Sequence, residues 1–98
     1  MSRYTIRLAA QMTGLHEQSL RTYERRGLIR PERSRGNYRL YSDADIEQLR
    51  FIKRLVDDLG VNLAGVEVIM HMRSQLIEAR SDLAALSAEL EASRNARS

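Results

Sequence analysis

A chain of 98 residues has room for one domain, or for a domain with an extension, and its lack of cysteine excludes disulfides, thiolate metal sites and a cysteine nucleophile. The net charge of +3 conceals an asymmetry, because residues 1–41 hold nine Arg against three Glu while residues 42–98 hold seven Lys or Arg against ten Asp or Glu. A basic excess confined to the N-terminal part suits a phosphate-facing surface, and no run approaches the ~20 apolar residues that cross a membrane.

In chain order, residues 3–6 read as an extended lead-in, with Tyr4 and Ile6 available to a core. A helix is predicted over Arg7–Met12, with Leu8, Ala9 and Met12 on its buried face, ended at Thr13-Gly14. A second helix is predicted over residues 16–26, with Glu17 in its first turn, Arg25 and Arg26 in its last, and Gly27 stopping it. A helix this short is marginal alone and needs neighbours. One arrangement that uses a packed, exposed and basic second helix is the helix-turn-helix, in which it enters the DNA major groove. The alternative is an ordinary surface helix in a small bundle.

Residues 32–41, ERSRGNYRLY, read as a hairpin turning at Gly36-Asn37. Its arginines favour a phosphate-contacting wing; the alternative is a simple edge hairpin closing the core. Ser42-Asp43-Ala44-Asp45 opens the next helix with a capping box in which Asp replaces the usual Glu or Gln. An apolar stripe follows through Ile46, Leu49, Ile52, Leu55, Val56 and Leu59 to a stop at Gly60. Asn62 caps a further helix with Leu63, Val66, Ile69 and Met70 inward, while Gly65 either permits close packing or is simply tolerated.

From residue 69 the period changes. Ile69, Met72, Leu76, Ala79, Leu83, Leu86 and Leu90 recur at spacings of three and four, as a and d positions do. A monomer would expose this row, so it predicts a partner helix, most economically from a second copy. The alternative is a helix folded back on its own domain. The periodicity leaves parallel and antiparallel pairing open.

Taken together, IRLAAQMTGL, LRTYERRGLI, a basic hairpin ending YRLYS, and DADIEQLRFIKRLVDDLGVNLAGVEVI resemble the MerR family of bacterial transcription regulators, in the family's order. GLHEQSLRTYERRGL and LGVNLAGVEVI are most similar to its heat-shock repressor (HspR) branch. The resemblance implies a mainly α fold: a winged helix-turn-helix domain over residues 1–72, then a dimerisation coiled-coil helix over residues 73–98 whose seam starts near residue 69. It implies a homodimer joined by an antiparallel coiled coil, repression of chaperone operons through inverted-repeat DNA, and the DnaK chaperone as co-repressor. It also implies a bacterial cytoplasmic protein, associated with the nucleoid when bound to DNA.

Residue by residue, the resemblance places Arg21 and Tyr23 near the DNA backbone, while Thr22 stands where many members have a second Tyr. His16, Glu17 and Ser19 become candidates for base edges, and Arg26 completes the reading-helix set with Thr22. Arg35, Tyr38 and Arg39 match the wing's backbone-contacting region, whereas Leu20 reads as core.

No cofactor or metal is expected. Relatives that sense metals or redox state use cysteines near the coiled coil, and drug-sensing ones append a domain, whereas 22 residues follow Leu76 here. An enzyme is the rival from another class, but neither His16 with Glu24 nor His71 with Glu67 has a nucleophile, metal set or cleft. A DNA-independent coiled-coil adaptor is the stronger alternative, as is a MerR-like activator of other operons.

Overall fold

Thr5 opens the first helix: its side-chain oxygen accepts a hydrogen bond from the Leu8 amide at 3.3 Å. In the computed structural model, which describes residues 2–97, this helix is α1, Ile6–Thr13, one residue longer at each end than its predicted range. Ahead of it lies the short strand β1, Arg3–Tyr4. Helix α2 is Glu17–Arg25, strand β2 is Glu32–Arg33 and strand β3 is Arg39–Ser42. Helix α3 is Asp43–Lys53, a π-helical turn covers Arg54–Asp58, and helix α4 is Leu63–Ala96. The fold is mainly helical with a small sheet.

The lead-in and the hairpin form one sheet with β3 in the middle. β1 lies antiparallel to β3, with Arg3 opposite Ser42 and Tyr4 opposite Tyr41. β2 pairs with the same strand, Arg33 opposite Arg39. Across β3, the Arg3 guanidinium meets the Glu32 carboxylate through two contacts of 3.4 Å. The hairpin turns where the Asn37 amide donates to the Ser34 carbonyl at 2.9 Å, and Asn37 takes the left-handed conformation that Asn tolerates.

Ser42 both ends β3 and caps α3. Its side chain accepts from the Asp45 amide at 3.1 Å, and the Asp45 carboxylate accepts from the Ser42 amide at 2.9 Å, the predicted capping box. The Tyr4 hydroxyl donates to Asp43 at 2.7 Å and so ties β1 to the same helix end.

The core of the head is Ala9, Leu20, Tyr23, Leu28, Ile29, Tyr41, Ile46, Leu49, Ile52, Leu55 and Val66. Burying each of the larger aliphatic side chains contributes about 1.5–3 kcal/mol. Two expectations about the core are corrected. Leu8 is exposed, because the face of α1 that turns inward is Ala9 with Thr13, four residues on, whose hydroxyl donates to the Ala9 carbonyl at 2.8 Å. Leu59 is 70% exposed, because the π-helical turn, with Leu59 donating to the Arg54 carbonyl five residues back, widens the helix and carries Leu59 off the stripe.

Asn62 caps α4 as expected, its side-chain oxygen accepting from the Gly65 amide at 2.8 Å. The role of Gly65 becomes clear here: a Cβ at this position would meet Val61 Cγ1 at 2.8 Å. The described residues form two compact units divided between Val66 and Glu67. In the second unit, which α4 occupies from Glu67 on, Met72, Leu76, Leu83, Leu86 and Leu90 are exposed along the helix, as is Ala79; Ile69 is half-buried.

Candidate nucleic-acid interface

Helix α2 divides its residues by the helical period. Leu20 and Tyr23 are buried on one side, and burial, reinforced by the negative charge of Asp57, raises the Tyr23 phenol above its ordinary pKa. The Tyr23 ring therefore serves the core. On the other side Gln18, Arg21, Thr22 and Arg25 follow one another at the spacing of one helix face. Thr22 links this face, donating to the Gln18 carbonyl at 3.0 Å and accepting from Arg25 Nη2 at 3.2 Å. Glu17 and Arg21 pair at 3.5 Å, one turn apart. His16 is the exposed N-cap residue, without a side-chain capping bond, and Ser19 is half-buried.

The helix end is anchored from below: the Gln48 side chain donates to the Leu28 carbonyl, just after the turn at Gly27. His16 and Glu17 border a shallow open groove shared with Arg7 and Gln11 of α1.

In the wing, Arg35 is exposed at the hairpin turn and Tyr38 is 57% exposed. Arg39 is half-buried, and its Nε donates to Glu24 Oε1 of α2 at 2.5 Å. Arg33 reaches the other oxygen of the same carboxylate at 3.3 Å. Glu24 thus ties α2 to Arg33 and Arg39 of the hairpin.

Gln18, Arg25 and Arg33 stand beside the predicted residues but are not among them. The first two had a signal, since they stand four residues before and three after Thr22. The ion pair between Glu24 and Arg39, 15 residues apart, has none in the spacing.

Among the described residues no group of His, Asp and Glu is placed to hold a metal ion, and no helix is long and apolar enough to cross a membrane.

A short helix with a basic outward face, set on a helical scaffold beside an arginine-bearing hairpin, defines a winged helix-turn-helix fold of the DNA-binding kind. The family profile described as MerR HTH family regulatory protein matches residues 4–73, and the chain belongs to that family. Relatives that it matches include proteins named as HTH-type transcriptional regulators.

The chain is 46% identical over 88 residues to a Streptomyces coelicolor protein provisionally named heat shock protein HspR, covering 90% of this chain and 58% of that one. It is 36% identical over 76 residues to the HTH-type transcriptional regulator GlnR of Bacillus anthracis, covering 78% of this chain and 58% of the relative. Against the Escherichia coli regulator MlrA it is 39% identical over 71 residues, 71% of this chain and 29% of that one. The chain thus spans less than two thirds of the length of these relatives. A solved structure, HiNmlR, described as a MerR family regulator lacking the sensor domain and bound to promoter DNA, matches with a TM-score of 0.65 at 24% identity, over 92% of this chain and 76% of that one. At that identity the match speaks for the fold.

Proposed function

We propose that the chain is a repressor of heat-shock or chaperone operons that binds an inverted-repeat operator as a homodimer. The observation that carries this reading is the 46% identity to the HspR-named protein over 90% of the chain. In this reading residues 1–72 are the reading head and residues 73–98 the dimerisation segment. The seam of Ile69, Met72, Leu76, Ala79, Leu83, Leu86 and Leu90 pairs antiparallel with its copy. Two heads related by a twofold axis require a pseudo-palindromic site.

Arg21, Thr22 and Arg26 fix α2 on phosphates together with Tyr23, while His16, Glu17 and Ser19 face base edges. Arg35, Tyr38 and Arg39 hold the flanking backbone. Repression follows from occupation of the operator, in the cytoplasm, with the DnaK chaperone strengthening occupancy.

Selection of bound duplexes from a random library tests this reading. Wild type should enrich an inverted repeat found at chaperone operons, and Arg21→Ala should weaken its binding and flatten the salt dependence by about one phosphate's share, a slope of ~0.9. Failure to enrich any repeat would favour the coiled-coil adaptor. Enrichment of a repeat from other operons would keep a regulator and remove the heat-shock role. Adding DnaK tests the co-repressor: affinity unchanged by the chaperone rules it out.

A further inference from the structure

The strongest feature outside the outward face of α2 is the half-buried carboxylate of Glu24 near the end of that helix. It meets two guanidiniums from neighbouring strands, Arg33 of β2 and Arg39 of β3, which stand opposite each other in the sheet. Tyr41, two residues along β3 from Arg39, is fully buried.

We propose that Glu24 is a specificity-determining positioning residue, which holds Arg33 and Arg39 in one register against α2 so that the wing engages phosphates only when that helix is seated. The inference rests on the reading of α2 and the wing as the DNA-binding face.

A guanidinium has five N–H donors. Arg39 gives its Nε–H to Glu24, and Arg33 gives a donor from Nη2, so each keeps donors on its terminal nitrogens for a phosphate. The shared carboxylate has two effects. It cancels one of two positive charges, which weakens attraction to any duplex in any register. It also holds two long side chains in a single arrangement, which lowers the ordering cost when the phosphates arrive at matching positions. The first effect acts on non-specific DNA and the second on the operator.

The test compares two duplexes bound by the whole chain: one enriched by wild type from a random library, and a scrambled duplex of the same length and composition. Dissociation constants are measured across a salt series. Glu24→Gln should tighten binding to the scrambled duplex, steepen its salt dependence by up to ~0.9 per freed phosphate contact, and lower the specific-to-non-specific ratio about tenfold. Glu47→Gln removes the same charge from an exposed position on α3 and should leave the ratio within about twofold. An unchanged ratio in Glu24→Gln, or an equal fall in Glu47→Gln, overturns the proposal.

Glu24→Asp keeps the charge but draws it back from both arginines. It should lower the ratio in the same direction, and it decides the matter alone if the glutamine variant does not fold: an unchanged ratio in it overturns the proposal. If wild type enriches no duplex, the DNA-binding face itself is wrong and this inference falls with it. Enrichment with an unaltered ratio removes only the role of Glu24.

Discussion

A Cβ on Gly14 would lie 2.5 Å from the Nζ of Lys53. Helix α1 has no basic residue in its last turn, and α3 supplies cations there instead: Lys53 stands over Gly14, and Arg50 donates to the Met12 carbonyl at 3.2 Å. Both suit the negative end of the α1 dipole. Gly14 itself holds φ +72°. The tip of Lys53 can swing aside, so the expected cost of Gly14→Ala is the left-handed backbone, about 1–2 kcal/mol. Thermal denaturation should show a midpoint lowered by about 4–8 °C per kcal/mol. Lys53→Met should cost less, about 0.3–1 kcal/mol. A larger loss in Lys53→Met than in Gly14→Ala would reverse this assignment.

The capping box joins the wing to the scaffold, since Ser42 is at once the last residue of β3 and the N-cap of α3. Ser42→Ala is expected to destabilise the head by about 1 kcal/mol. Hydrogen exchange should quicken in the first turn of α3. A protection pattern unchanged from wild type would show that the box is dispensable.

These two features differ in how far they could be read from the chain. The box at Ser42 and Asp45, the cap at Asn62 and the stop at Gly14 are local, written within three or four residues, and each formed as expected. The stripe from Ile46 to Leu55 was legible for the same reason. What failed depended on phase or on tertiary partners. Leu8 and Leu59 were misplaced because one helix faces inward through Ala9 and Thr13 and the other widens at Arg54–Asp58. At the site, the exposed side of α2 could have been read further, to Gln18 and Arg25, by continuing the period. The joint between Glu24, Arg33 and Arg39 could not, because it exists only once β2, β3 and α2 meet.

Tyr41 gives the fold an alkaline limit. Its side chain is fully buried, and its hydroxyl has no hydrogen-bond partner among the described residues. Burial pushes its pKa up to about 12; Arg39, Arg21 and Arg33 oppose the rise and Glu24 adds to it. The unfolded phenol loses its proton near pH 10, while the folded one keeps it to about 12. The contribution is therefore whole below about pH 10 and is lost as pH rises towards 12, by at most about 3 kcal/mol. Tyr41→Phe should remove this part of the decline in denaturant titrations. At neutral pH it should leave stability unchanged or raise it by about 1 kcal/mol, because the hydroxyl it deletes is buried and unpaired. A loss above about 1 kcal/mol at pH 7 would mean that the hydroxyl makes a bond in solution.

The apolar row on α4 makes the last prediction, and the absence of cysteine makes it easy to read. Leu76, Leu83, Leu86 and Leu90 each leave more than half of their surface exposed. If the row is a self-pairing seam, Leu83→Arg should turn a dimer into a monomer in sedimentation equilibrium and abolish binding to an inverted repeat, while the head keeps its circular dichroism. Orientation follows from single cysteines at the two ends of the seam. A disulfide needs Cα atoms within about 7 Å. In an antiparallel pair Leu90→Cys should not crosslink to itself, but should crosslink to Ile69→Cys when the two variants are mixed and refolded. Parallel pairing gives the opposite pattern, with each variant crosslinking alone and no preference for the mixture. A wild-type chain that sediments as a monomer at micromolar concentration would remove the twofold reader altogether, since one head alone cannot hold both halves of a repeat.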